Sequence, residues 1–512
     1  MRRRRHQLAA GGLALAAAFA AGCAAPQSPD PNVITVGIPA APANLDPRLG
    51  IDAASQRLHQ LLYDNLLEKD EALRVGPGLA TGWDMPDPLT YVVHLRLGVR
   101  FHDGHELTSR DVVHTFSAFL DPDFVSGRQG AYTLLESVRA IDRETVEFTL
   151  SQPFASFPVN LVMPIVPDGA GPELREQPNG TGPYRFISHT PDDRIVLAAN
   201  PDYFGGAPAN AGVVLKIVPD DIMRGLELRK GTLDLVVNEL PPDMMFELAR
   251  DDRLQLTTSP GTDYTYLGVN VRDPILRDAR VRRAISYAID RNAIVRYLRR
   301  DLASPAVGVL PPQAWAFAPD LDPHPFDPDR ARRLLDDAGY PDPDGDGPLP
   351  RLALTLKVSS FEQYRLQAVV IQQNLKDVGI DLDVRTYEFA TLYADVLQGA
   401  FQLVSMQWVG VSDPDMLRRV FHSSQVPPVG FNRGFYSNPE VDRLIDAATV
   451  STDEAERGRL YGRAQHLIAA DVPYISLWYR TNAVVSKRDL ENIHPPPGAD
   501  YVFLKDVRRV FP

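Results

Sequence analysis

Hydrophobic and polar residues alternate along this chain at two periods, near two and near 3.6 residues, and the switches between them mark out strands and helices. "VITVGIP", from Val33, alternates strong β formers and predicts the first strand. After the turn "NLDP", Leu58, Leu61, Leu62, Asn65 and Leu66 fall on one helical face. "TYVVHLRL" and "TVEFTL" predict strands flanking a helix that opens at Thr108, with Asp111 three residues on as its capping-box partner. "GTGPYRF" reads as a turn entering a strand, and "VVLKIVP" and "LDLVVNEL" as two further strands. From Tyr264 onward the helical signal strengthens. "DARVRRAISYAIDRNAIVRYL" places Val281, Ala284, Ile285, Ala288, Ile289 and Val295 on one stripe behind a capping Asp278. "FDPDRARRLLDDAGY" has Asp327 as cap, Pro328 in the first turn, Leu334 and Leu335 facing inward and Gly339 as the stop. "FEQYRLQAVVIQQNLKDVGIDLDVRTY" runs from a helix through Gly379 into a strand, and "SNPEVDRLIDAA" and "STDEAERGRLYGRAQHLIAADVPYISLWY" supply two more capped helices and a last strand. Strands and helices alternate throughout, which predicts an α/β protein.

The N-terminus departs from this pattern. Arg2 to Arg5 precede an uncharged run from Leu8 to Gly22, and the only cysteine, Cys23, follows directly. This is the plan of a signal peptide over residues 1–22. A cysteine after Ala20-Ala21-Gly22 resembles a bacterial lipobox, with alanine where leucine is preferred, and makes Cys23 the expected site of lipidation. The run is too short and too alanine-rich for a bilayer span. Residues 23–32, rich in proline and polar residues, read as a tether. A single cysteine leaves no disulfide and no thiol-based zinc site.

Removing residues 1–22 leaves 490 of the 512, enough for two or three lobes, and the loss of four arginines takes the net charge from −13 to −17. So acidic a chain is a poor partner for nucleic acid.

Few local motifs carry chemistry. No His-Glu-x-x-His, Gly-x-Ser-x-Gly or Walker lysine loop occurs. "PDPDGDGP" sets Asp342, Asp344 and Asp346 at alternate positions like the opening of a calcium loop, but Ala353 stands at the twelfth position, so an Asx/Gly turn is expected. "FHDGH" brings His102 and His105 near Asp103, with His94 one strand back; Asp103-Gly104 favours a tight turn over a metal site. In "SMQWVGVSDPDMLRRVF", an apolar strand from Phe401 to Trp408 ends in a turn bearing Asp413 and Asp415. Strand ends of this kind dock ligands in α/β sheets, though Asp413-Pro414 also suits a plain turn and Asp415 a helix cap.

Several stretches together resemble the family 5 extracellular solute-binding proteins of ABC importers, which include oligopeptide, dipeptide and nickel binders. They are "LLYDNLLEKD", "LATGWDMPDPLTYVVHLRLGVRFHDGHELTSRDVVHTF", "GTGPYRF", "NPDYFGG", "LGVNVRDPILRDARVRRAISYAIDRNAIV", "FDPDRARRLLDDAGYPDPDGDGP", "WVGVSDPD" and "YSNPEVDRLIDAA". The resemblance implies a type-II periplasmic-binding fold with two lobes and an extra inserted domain. Residues 33–70, 180–263 and 480–512 would form domain I, 71–179 domain II and 264–479 domain III, with the hinge at "YTYLGVN" and "ISLWYRTNAVV". It also implies lobe closure around a solute, most simply an oligopeptide, and delivery to a permease and ATPase by a monomer in the periplasm or at the cell surface, held there by the lipid on Cys23. No cofactor, metal or catalytic group is implied. By the same resemblance the ligand contacts would be Ile51, Asp52, Ala53, Tyr264, Tyr266, Trp408, Gly410 and Asp413. Peptide-binding relatives carry an aspartate three residues after this tryptophan; here Val411 stands there, so either Asp413 takes its part or the ligand lacks a free amine. A sugar, a metal chelate, or a sensor or enzyme built on the same fold are the alternatives.

Overall fold

The computed structural model describes residues 30–345 and 347–510, so residues 1–22, expected as a signal peptide, Cys23, the expected lipidation site, and Asp346 lie outside the described residues. Among those described, no helix is long and apolar enough to cross a membrane.

Two long strands, Leu254–Val269 and Tyr474–Lys487, run antiparallel through the middle of an 11-stranded sheet. On one side of their midpoint the sheet continues through Leu235–Val237, Val33–Ile38, Gly212–Ile217, Arg194–Ala199 and Tyr184–Thr190; on the other it continues through Leu403–Trp408, Leu352–Ser359 and Ile380–Tyr387. The first group is the near lobe and the second the far lobe. Ile34, Val36, Leu58, Leu61, Leu215 and Val484 pack on one face of the near lobe. In the far lobe the predicted stripe Val281, Ala284, Ile285, Ala288, Ile289 and Val295 is buried against Leu354, Leu356 and Ile371. The architecture is α/β, with two lobes and an insertion.

The insertion is a four-stranded antiparallel sheet over Ala80–Leu150 with the helix Ser109–Leu120 packed on it. Thr108 N–H donates to Asp111 Oδ2 at 2.7 Å, the expected capping box. Its boundaries by packing differ from 71 and 179. Leu66 and Leu67 already belong to the inserted core, which closes at Ile165, whereas Val166 and Leu174 pack with the near lobe.

Two helices stop earlier than their periodicity predicts. The helix Ala53–Leu62 ends before Asn65 because Gly180 and Gly182 lie against its last turn, where a Cβ on Gly180 would overlap the Leu62 carbonyl oxygen. The chain then runs extended, and Leu66 N–H donates to Met163 O at 3.0 Å. The helix behind Asp278 spans Ala279–Ala288; Asp290 then accepts from Ala293 N at 2.9 Å, restarting a short turn that widens over Ile294–Leu298.

Gly180→Ala is expected to destabilise the chain by about 1–3 kcal/mol or more, since the obstacle is backbone rather than a mobile side chain. Gly130→Ala, with open space around its Cβ, is expected to stay within about 0.5 kcal/mol of the wild type. Urea midpoints of the two variants provide the check.

Candidate ligand cleft

Strand direction locates the cleft. Val33–Ile38 is parallel to Leu235–Val237, which is antiparallel to the second crossover strand; Leu352–Ser359 and Leu403–Trp408 are parallel to each other, and the latter is antiparallel to the first crossover strand. The C-terminal ends at Ile38 and Val237 therefore face those at Ser359 and Trp408 across the midpoint of the sheet, and such ends are where open α/β sheets bind ligands. At that midpoint the register slips. Pro260 pairs with Thr481 and Tyr264 with Tyr479, which leaves Gly261, Thr262 and Asp263 opposite Arg480 alone. A Cβ on Gly261 would overlap the Arg480 carbonyl oxygen, so the bulge requires glycine there.

Charged side chains gather around this slip. Asp263 accepts from Gly410 N–H at 3.0 Å and from Gln407 Nε2 at 3.0 Å, with Arg480 Nη1 3.8 Å away. Arg480 also donates to the Asn238 carbonyl at the end of a near-lobe strand. Arg57 pairs with Glu239 at 2.9 Å and lies 5.3 Å from the centroid of the Tyr501 ring. Arg299 differs from these: among the described residues it has no carboxylate partner, its Nε is buried without an acceptor, and its contact to Gln363 Oε1 is long at 3.5 Å. Burial, then the neighbouring Arg480, pull it down to about 10. The Tyr364 hydroxyl feels Arg299, Arg480 and Asp263. Tyr364 sits in the first turn of the helix Glu362–Lys376, whose N-cap, Phe361, contributes no side-chain bond and is 62% exposed. Asp500 lies in the fields of Lys69 and Arg57, and Arg57 in that of Asp263.

The inserted domain closes one flank. Its hairpin, Leu67–Lys69 with Val75–Pro77, sends Leu73 into the far-lobe core. Lys69 Nζ donates to Ser412 Oγ at 2.6 Å, Ala155 N–H to Thr449 O at 2.8 Å, and Arg457 Nη2 to Ser156 Oγ at 2.7 Å.

The residues expected at the ligand divide into two groups. Ile51 is 53% exposed and Ala53 is open; between them Asp52 caps the helix, accepting from Ser55 N at 2.9 Å. Trp408 is half-buried, stacked on Tyr266 and beneath the Arg433 guanidinium at 4.7 Å, while Gly410, at φ 65°, is exposed and offers its amide to Asp263. Tyr264 and Tyr266 are each 1% exposed, stacked 5.5 Å apart inside the far-lobe core, and Tyr264 Oη bonds Ser476 Oγ. Asp413 keeps some open surface, but its Oδ1 accepts from Asp415 N at 2.8 Å and its charge is answered by Arg457 and Lys69. Asp415 makes no side-chain cap bond. Val411 is buried, its amide donating to Thr262 O at 3.2 Å. Asp263, Arg480, Arg57, Arg299 and Tyr364 were absent from the expected set. The available signal was an arginine inside the apolar run "ISLWYRTNAVV" and an aspartate beside "YTYLGVN".

The described residues of the metal-like motifs bond separate partners. His102 Nε2 faces Gly182 O at 3.0 Å, His105 pairs with Asp103 at 2.7 Å and His94 with Asp84 at 2.8 Å, so the three rings serve separate partners. Asp344 N–H donates to Asp342 Oδ1 at 3.2 Å, as an Asx turn would. Among the described residues no cluster of three metal-type side chains forms.

Two lobes joined by paired crossover strands, with a charged cleft at facing strand ends, define a two-lobed solute-binding protein. The family model "Bacterial extracellular solute-binding proteins, family 5 Middle" matches residues 74–427, and the chain belongs to that family. It is 29% identical over 490 residues to the oligopeptide-binding protein AppA of Bacillus subtilis (strain 168), covering 91% of this chain and 90% of that one. It is 30% identical over 478 residues to the glutathione-binding protein GsiB of Pectobacterium atrosepticum, covering 90% and 91%. The structure of AppA from Bacillus subtilis in complex with a nonapeptide superposes with a TM-score of 0.75 at 29% identity, over 93% of this chain and 99% of that one.

Beside Lys69, burial pushes the Glu68 carboxyl from its ordinary 4.5 up to about 7, and the Asp64 charge adds to the rise. The folded chain then holds a proton that the unfolded chain releases, so this contribution is complete below pH 4.5 and is lost as the pH rises through 7. Glu68→Gln keeps the neutral form at every pH. Between pH 5 and pH 8 the urea midpoint of the wild type is expected to fall relative to that of Glu68→Gln; parallel midpoints would contradict it.

Proposed function

We propose that the chain captures oligopeptides between its lobes and delivers them to the permease and ATPase of an ABC importer. In this reading it works as a monomeric binding subunit without catalysis, in the periplasm or at the cell surface, held to the membrane by a lipid on Cys23. The observation that carries it is Arg299. A half-buried guanidinium with a buried, unpartnered Nε and no carboxylate is costly, and here it lies in the field of Arg480 and the Tyr364 hydroxyl, beside Gln363 at the uncapped start of a helix. Those groups suit the terminal carboxylate of a peptide. The exposed backbone at Val409-Gly410 offers main-chain groups to an extended ligand, and the names of AppA and GsiB agree in kind.

Of the expected contacts, Ile51, Asp52, Ala53, Trp408 and Gly410 stay in the proposed site, joined by Asp263, Arg57, Arg299, Tyr364 and Arg480. Tyr264 and Tyr266 serve it from behind, as the packed bed under Trp408.

Native mass spectrometry of the purified chain, before and after unfolding, tests the solute class. A series of extra masses resolving into short peptides is expected; a single non-peptide compound would overturn the reading. With a bound peptide in hand, Arg299→Met is expected to weaken it on the order of tenfold, and to weaken its C-terminal amide far less. Calorimetric titration of both forms separates the two cases.

A further inference from the structure

The loop that enters the first near-lobe helix is held from two sides. Within the lobe, the Asp46 carbonyl accepts from Gly50 N–H at 2.9 Å, Asn44 N–H donates to Ser55 Oγ at 3.1 Å, and Gln56 Nε2 donates to Ile51 O at 2.6 Å. A Cβ on Gly50 would lie 2.7 Å from the Asn44 carbonyl oxygen and 2.8 Å from Ser55 Cβ, so the chain has no slack there. From the other side comes the inserted domain. Ser126 Oγ donates to Arg48 O at 2.6 Å, and Arg128 Nη2 donates to Gly50 O at 3.2 Å. The Arg48 guanidinium, buried and paired with Asp46 at 2.9 Å, lies 5.3 Å from the centroid of the Phe124 ring.

Ile51 stands where the two holds meet. Its side chain rests on Gly127: a Cβ on that glycine would come 2.7 Å from Ile51 Cδ1, and the three atoms nearest to it all belong to Ile51. Even so, Ile51 is 53% exposed. The loop also stands at the cleft. It follows the strand Val33–Ile38, whose C-terminal end faces the far lobe, and early in the helix behind it Arg57 pairs with Glu239 at 2.9 Å. Glu239 adjoins Asn238, whose carbonyl accepts from Arg480 at the register slip. A stiff, branched aliphatic side chain on a fixed loop is an apolar seat that a ligand covers at little ordering cost. A polar ligand side chain gains no partner from Ile51 or Gly127.

We propose that the inserted domain takes part in ligand selection: its segment 126–128 holds Ile51 at the cleft to receive an aliphatic side chain of the ligand, with Gly127 as the positioning residue. The inference rests on the peptide reading above and narrows it to a class of side chain.

Positional pentapeptide pools test it. Each pair of pools carries leucine or serine at one position and random residues at the others, and the fraction held by the purified chain is read by mass spectrometry. The wild type is expected to prefer leucine at one position on the order of fivefold. Ile51→Ser is expected to bring that ratio below about two while the ratios at the other positions stay as they were. Gly127→Ala is expected to do the same by displacing Ile51, with a wild-type melting curve, since its obstacle is the free end of an exposed side chain. Adding Ile51→Val, which removes Cδ1, to Gly127→Ala is expected to restore the preference. Leucine ratios unmoved by Ile51→Ser overturn the proposal, and at so exposed a position that variant needs no repacking to fold. A preference lost in Ile51→Ser but kept in Gly127→Ala overturns the part of the inserted domain, as does a double variant that fails to restore it. Retention of no pool by the wild type overturns the peptide reading itself, which keeps the failures distinct.

Discussion

Both lobes hang on one hydrogen-bonded pair of strands. Leu254–Val269 and Tyr474–Lys487 carry the ladder of the near lobe at one end and of the far lobe at the other, so neither lobe can shift without bending that pair. The bend has one natural place. Pro260 offers no amide to the ladder, Gly261 has no Cβ to obstruct the Arg480 carbonyl, and three residues crowd opposite one. Outside the slip the pairing is regular over Leu254–Pro260 and, past a second irregularity at Thr265, over Tyr266–Gly268. Motion of one lobe against the other is thereby concentrated at the residues that carry Asp263 and Arg480.

This placement gives the charges their consequence. Asp263 and Arg480 belong to the hinge, Arg57 and Glu239 to the near lobe, Arg299 and Tyr364 to the far lobe. A change of lobe angle alters the distance between the last two groups while leaving each internal pair intact. In the proposed reading, a ligand anion between them would favour the arrangement that brings both sets of donors to it. In that reading, charges left partly unanswered in the protein alone would favour closure when a partner arrives, and the half-buried Arg299 is the clearest of them.

Much of this fold was legible because the chain marks its element ends chemically. Asp278 and Asp327 accept amides at the helix starts where they were expected, Asn438 and Asp453 are the caps of the two further capped helices, and Gly339 and Gly379 take left-handed conformations at the ends. What was missed depended on the third dimension. The period of two shows that Tyr264 and Tyr266 share a face, but only the partner strands decide that this face is the one stacked with Tyr474 under Trp408. The helix that Asp52 caps stops at Leu62 because of glycines more than a hundred residues away, which no local window contains. Arg299 lies on the wide turn after a helix break at Ile289, and its solitude is visible only once the carboxylates around it are placed. Asp413 was legible as an acid at a strand end; that its acceptor was already taken was not.

The inserted domain changes what such a hinge can do. It is tied to the near lobe where His102 N–H donates to Gly180 O at 2.8 Å and the His102 ring meets Gly182 O, yet its hairpin buries Leu73 in the far-lobe core and its loops bond Thr449 and Arg457. It therefore spans the same gap as the ligand, from the flank. Burial of one leucine-sized side chain is worth about 1.5–3 kcal/mol, comparable to what a few ligand contacts supply, so the insertion shares in setting the lobe angle. That sharing puts a third body, with a core of its own, at the flank of the cleft. Lys69, on that hairpin, donates to the far-lobe Ser412 at 2.6 Å, so one of the ties that set the angle is a polar contact on the flank of the cleft.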